Sequence, residues 1–155
     1  MTFLLNLKSL LIGSALGLLM AGGAWAADQG TAAEAEAMVK KAVAYVKANG
    51  PEKAAEEFTN GKTFKDRDLY VSYLDLNGRA LGHGANPKLV GKDLIGLKDP
   101  DGKPLVQMLV DVGKNKGKGW TENYKFRNPT TEKISEKAMY VERVGDNIVC
   151  VGIYK

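Results

Sequence analysis

Apolar positions along the chain change period partway. From Ala35 to Val46 they recur three and four residues apart (Ala35, Met38, Val39, Ala42, Val43, Val46), which puts them on one stripe of an α-helix. Thr31-Ala-Ala-Glu34 ahead of the stripe is a capping box, in which hydroxyl and carboxylate each accept from the other residue's backbone amide. Asn49-Gly50-Pro51 supplies the stop, and Pro51 suits the first turn of a second short helix through about Phe58, with Ala54, Ala55 and Phe58 on its buried side.

From Leu69 the period falls to two and β-formers dominate. Leu69 to Leu76 and Arg79 to Gly84 flank Asn77-Gly78, the signature of a two-residue hairpin turn. Residues 85–101 form a long connection holding Leu89, Val90, Leu94, Ile95 and Leu97, enough apolar anchors to pack it down. Pro104 opens another helix, with Leu105, Met108, Leu109 and Val112 on one face and Gly113 as its stop. Three strands follow, about Gly119 to Phe126, Ile134 to Val144 and Asn147 to Tyr154, separated by Arg127-Asn-Pro-Thr130 and Gly145-Asp146. The sum is one α+β domain: helices segregated to the sides of an antiparallel sheet, with room for a pocket beneath the connecting loop.

The 155 residues, 45% hydrophobic and 26% charged, suit one globular domain, but Met1 to Ala26 differ from the rest. Lys8 is their only charged side chain, an apolar run follows, and Ala24-Trp25-Ala26 is a small-x-small cleavage site. This pattern predicts a secretory signal peptide over 1–26 and an exported, periplasmic domain over 27–155. The alternative, an uncleaved anchor, is disfavoured because the apolar stretch is short and glycine-interrupted.

The remaining 129 residues carry a formal charge of +3, with Lys and Arg alternating with acids as in Lys92-Asp93 and Lys98-Asp99. Nucleic-acid binding needs a clustered basic patch with interleaved aromatics; the basic stretch Lys114 to Lys118 reads instead as a solvated turn. Cys150 is the only cysteine, so no intramolecular disulfide forms, and its β-prone neighbours favour a small buried side chain over a reactive thiol.

Catalysis finds little support. One histidine, His83, and one cysteine leave no zinc pattern and no HExxH, and no G-x-S-x-G elbow occurs. Asp99-Pro-Asp101-Gly-Lys103 has the wrong spacing for a calcium loop and reads as a turn before a helix. No metal and no cofactor are expected. What remains is a set of polar and aromatic side chains able to converge on a small-ligand pocket: Tyr70, Tyr73, His83, Asn86, Trp120, Tyr124, Lys125 and Tyr140. Tyrosine hydroxyls, a histidine and a cation suit a small carboxylate. For Tyr73 and Tyr140 core packing is an equal alternative, and for His83 a hydrogen-bonded loop anchor. Trp120 and Tyr124, four apart on one strand, share a face, which leaves Lys125 on the opposite one.

Residues 70–87 (YVSYLDLNGRALGHGANP), Leu89-Val-Gly-Lys-Asp-Leu94, Asp101-Gly-Lys-Pro104, Gly119-Trp120, Asn128-Pro129, Tyr140-Val-Glu-Arg143 and Val151-Gly-Ile-Tyr154 together resemble the single Cache domain of the second type, from about Tyr70 to the C-terminus. The resemblance implies a PAS-like antiparallel sheet of about five strands, a long N-terminal helix and a loop with a helix over the ligand pocket. It implies extracytoplasmic sensing of a small organic acid, as in chemoreceptors and sensor kinases. His83 to Leu97 would be the lid, with Tyr73, His83, Trp120 and Tyr124 lining the pocket; Asn86 and Tyr140, from the convergent set above, complete the six expected ligand-binding residues. With no output segment after Lys155, the expectation is a non-enzymatic binding protein that signals through, or delivers to, a membrane-bound receptor or transporter. The alternative is an accessory interaction module without a ligand of its own. Long N-terminal helices in this family often mediate homodimers; the helical stripe is equally compatible with a monomer.

Overall fold

The computed structural model describes residues 28–155; the expected signal peptide lies outside them. Helix α1 (Ala32–Asn49) begins at the capping box: Thr31 Oγ1 accepts from the Glu34 amide (3.3 Å) and Glu34 Oε2 from the Thr31 amide (2.7 Å). It buries Ala35, Val39, Ala42, Val43 and Val46. Gly50, at φ 84°, turns the chain directly into α2 (Pro51–Asn60), with Pro51 in the first turn.

The strands are β1 (Lys65–Asp66), β2 (Leu69–Asp75), β3 (Ala80–His83), β4 (Lys118–Trp120), β5 (Tyr124–Arg127), β6 (Ile134–Val144) and β7 (Asn147–Tyr154), with α3 (Leu105–Asn115) between β3 and β4. All pairings are antiparallel. β2 and β6 flank the central β7, β1 and β3 share the far edge of β2, and β4 and β5 share that of β6. Seven strands therefore fill five places across the sheet, the α+β architecture expected.

Three local readings are corrected and one strand is added. β1 had no sequence signal, being two residues held by pairing with Leu69 and Tyr70. The first hairpin loop has three residues, 76–78, because Asp75 and Arg79 still bond across it (3.0 Å) and Gly78, at φ 87°, closes it. Gly113 does not stop α3, which runs on to Asn115; a Cβ there would collide with Ile148, so glycine lets the helix close onto β7. The strand expected over 119–126 is broken into β4 and β5. Trp120 pairs with Tyr140 but Tyr124 with Lys137, so four steps on one strand meet three on β6. That one-residue slip reverses the face, and Trp120 and Tyr124 lie on opposite sides of the sheet.

Each side has its own core. α1 and α2 cover one, where Phe58, Phe64, Val71, Tyr73, Val149 and Val151 are buried. α3 and the connection before it cover the other, over Leu74, Tyr124, Met139, Val141, Ile148 and Cys150. Cys150 is fully buried, and burial pushes its thiol well above the usual range, which removes the thiolate that reactivity needs. No described helix is long and apolar enough to cross a membrane.

Candidate ligand-binding site

The α3 side of the sheet does not close completely. A cavity of about 40 Å³ lies between β2, β3, β5 and β6 below and Leu89, Leu94, Leu97 and α3 above. The cover is tied at both ends. Near β3, residues 91–94 run along the strand edge, with the Gly91 amide donating to the Ala80 carbonyl (2.7 Å) and the Ala80 amide to that of Lys92 (3.0 Å). Before α3, the Asp99 carboxylate accepts from the amides of Lys125 (2.9 Å), Lys103 (2.8 Å) and Asp101 (2.9 Å). Those amides, the Lys125 one foremost, hold its carboxyl below the usual carboxylate range. The motif read as a plain turn thus staples the cover to β5.

At the polar end of the cavity lies Lys137, 1% exposed on β6. Its ammonium donates to the hydroxyls of Tyr70 (2.7 Å) and Tyr154 (3.1 Å) and sits over the rings of Tyr70, Tyr154 and Phe126 at 4.5, 4.6 and 5.0 Å. Gly152 makes the space, since a Cβ there would strike the lysine chain. Among the described residues no carboxylate lies within ion-pair distance of Lys137. Burying an ammonium costs several kcal/mol, which hydroxyls and ring faces offset only in part, and an anion entering the cavity would supply the missing charge.

The protons of the other polar groups are placed by the hydrogen bonds around them. Tyr154 donates its own proton to the Arg127 carbonyl (3.0 Å), so Tyr70 holds the proton in the 3.3 Å contact between the two hydroxyls. His83 Nδ1 accepts from the amides of Asn86 (2.9 Å) and Ala85 (3.3 Å), which places the ring proton on Nε2. Burial first, then the charge of Lys137, lowers the His83 pKa to about 4, so the ring is neutral at neutral pH. Tyr124, whose hydroxyl burial pushes well above its usual range, and Ser72 complete the polar lining.

Of the six residues expected to bind ligand, His83 and Tyr124 line this cavity. Asn86 does not: its side chain caps the short turn Pro87–Leu89 by accepting from the Lys88 amide (3.1 Å), and its backbone amide orients His83. Tyr73, Trp120 and Tyr140 lie on the opposite, helix-covered side. Tyr73 packs edge-on against Phe58 and accepts from Asn147 (2.8 Å); Trp120 stacks near Tyr140 and donates to Glu36 (2.8 Å). Strand parity is the reason for Tyr73 and Tyr140, and the β4–β5 slip for Trp120. Lys125 is a surface residue paired with Asp101 (2.9 Å).

Lys137, Tyr70 and Ser72 carry most of the polar character, with Tyr154 behind the lining as a partner of Lys137, and Lys137 was missed altogether. Its signal was nonetheless present. Lys137, Met139 and Val141 share one face of β6, so a lysine stands in phase with two core residues.

Comparison with known proteins bears on this arrangement. A family model described as Single Cache domain 2 matches residues 26–154. A methyl-accepting chemotaxis protein, McpP of Pseudomonas putida, is 31% identical over 77 residues, half of this chain and 14% of the relative's length. The chain thus spans about a seventh of that curated relative. The crystal structure of a methyl-accepting chemotaxis protein from Vibrio parahaemolyticus superposes with a TM-score of 0.66 at 26% identity, over 79% of this chain and 86% of that one. A structure described as showing the basis for carboxylic acid recognition by a Cache chemosensory domain gives the same score and identity over 79% and 91%. A periplasmic sensor domain of a chemotaxis protein scores 0.62, again at 26% identity, over 79% and 88%. These relatives are sensory domains rather than enzymes.

Proposed function

Because the chain belongs to the Single Cache domain 2 family, we propose that it is an extracytoplasmic sensor domain whose ligand is a small carboxylate held against Lys137. The observation that carries this reading is the buried ammonium without a carboxylate partner, facing a cavity that the neutral His83 ring also lines with its proton on Nε2. A carboxylate there takes the third N–H of Lys137 and a hydrogen bond from His83 Nε2, charge-assisted and shielded from water, beside a Tyr70 hydroxyl whose proton goes to Tyr154. The volume limits its size: about 40 Å³ is small beside the roughly 150 Å³ that accommodates benzene, so an acid of two or three carbons fits. The structural neighbour described by carboxylic acid recognition supports the same class.

Occupancy is passed to a membrane-bound receptor, in line with the chemotaxis proteins this chain resembles. Export with removal of 1–26 is part of the proposal, and N-terminal sequencing of the periplasmic protein checks it by finding Ala27 first. Calorimetric titration with acetate, propionate and lactate tests the ligand. Saturable one-to-one binding, lost in Lys137→Met, is the expected result. A flat response after unfolding and refolding to strip copurified ligand would sink it and leave the accessory-module reading.

A further inference from the structure

A second cavity, about 310 Å³ and mostly apolar, adjoins the first on the side facing solvent. The two share one wall: Tyr70, His83, Leu89 and Phe126 line both. Beyond that wall the outer chamber is bounded by Ala85, Asn86, Arg127 and Pro129, all exposed, so its two polar side chains stand at the solvent rim.

The four shared residues are not equally fixed. Tyr70 is held by the 2.7 Å bond from Lys137 and His83 by two backbone amides, so moving either breaks polar contacts in a buried place. The side chain of Leu89 makes no hydrogen bond, and that of Phe126 makes none either, although its ring also lies 5.0 Å from the Lys137 ammonium. Leu89 ends the short turn Pro87–Leu89 and is partly exposed, and Phe126 stands edge-on to Tyr124 at 6.2 Å. Side chains of this kind change rotamer without breaking a hydrogen bond.

We infer that Leu89 and Phe126 form a door between an apolar outer chamber, through which the ligand enters, and the Lys137 cavity, and that this door limits the ligand's chain length. The inference rests on the carboxylate reading above. With its carboxylate at Lys137, an acid of two or three carbons lies wholly behind the door. A longer one must leave its tail in the doorway and hold Leu89 and Phe126 apart. The outer chamber would accept that tail, because Ala85, Leu89, Phe126 and Pro129 are apolar; the closed door denies it access.

The test is a titration of the purified protein with straight-chain acids from acetate to hexanoate, for the wild type and Leu89→Ala. The wild type should bind best at two or three carbons and progressively more weakly beyond. Leu89→Ala should move the optimum to longer acids, with affinity rising about fourfold for each added methylene that reaches the outer chamber. Leu89→Phe, which keeps the position filled, should retain the preference for short acids and slow their association in stopped flow. If wild type and Leu89→Ala show the same chain-length profile while Lys137→Met abolishes binding of every acid, the door is wrong and the site stands. If no acid binds the wild type at all, the carboxylate reading falls and the door with it.

Discussion

The two sides of the sheet are built from the same strands with the same alternation, yet they differ in what they enclose. On the helix side Phe58 meets Tyr45, Phe64 and Tyr73 at ring separations of 6.1, 4.8 and 5.5 Å, and the space is filled. On the other side a lysine, a histidine and tyrosines surround a cavity under a loop. The first arrangement gains from burial and ring geometry; the second gives up part of that gain to hold donors in place without a carboxylate to satisfy them. The proposed function thus assigns stability and binding to opposite faces of one sheet.

Truncation should expose this division most strongly on the filled side. Phe58→Ala is expected to lose about 3–5 kcal/mol in urea denaturation, because a fully buried ring leaves a hole its neighbours cannot close. On the cavity side the acid sensitivity is set by His83. Its folded pKa of about 4 lies below the ordinary value near 6.5, so the folded protein binds fewer protons between those limits. The stability it contributes is complete above about pH 6.5 and is lost as pH falls toward 4, on the order of 3 kcal/mol in all. A pH series of denaturation curves should show that slope for the wild type and a flatter one for His83→Gln.

Lys137→Met sharpens the contrast, since the same substitution should abolish carboxylate binding and leave the melting temperature unchanged or higher. Replacing a buried charge by an apolar chain of similar length removes the desolvation cost. A large loss of stability would mean that Lys137 is structural. The smallest effect is expected for Asp99→Ala, a local one: the amides of Asp101, Lys103 and Lys125 should exchange hydrogen faster while those of β7 stay protected. The Asp99 carboxyl is held low, so its contribution is present above about pH 4 and lost as pH falls through its folded value.

Much of the fold was legible residue by residue. The Thr31–Glu34 box, Gly50-Pro51 and the Gly145-Asp146 turn are local devices whose geometry depends on neighbours in the chain, and each stands where the pattern put it. The site was less legible. His83 and Tyr124 reach the cavity, but Trp120 was misplaced because a single extra residue between β4 and β5 reverses the face, and a slip between strands leaves no mark in the periodicity of either. Lys137 was passed over because lysine on a strand is ordinarily solvated, although it stood in phase with Met139 and Val141.

By itself the amino-acid sequence determined most of the elements and their order, because capping, turn chemistry and hydrophobic period act over a few residues and survive any arrangement of the whole, and its chain of motifs carried the resemblance to the family. Only the tertiary structure decided which tyrosines face the cavity, that Lys137 lies buried among ring faces, that Gly113 is a space for Ile148 rather than a helix stop, and that Gly152 is a space for Lys137. Those outcomes depend on strand register and on which side chain lies across the sheet, quantities set by contacts between residues far apart in the chain.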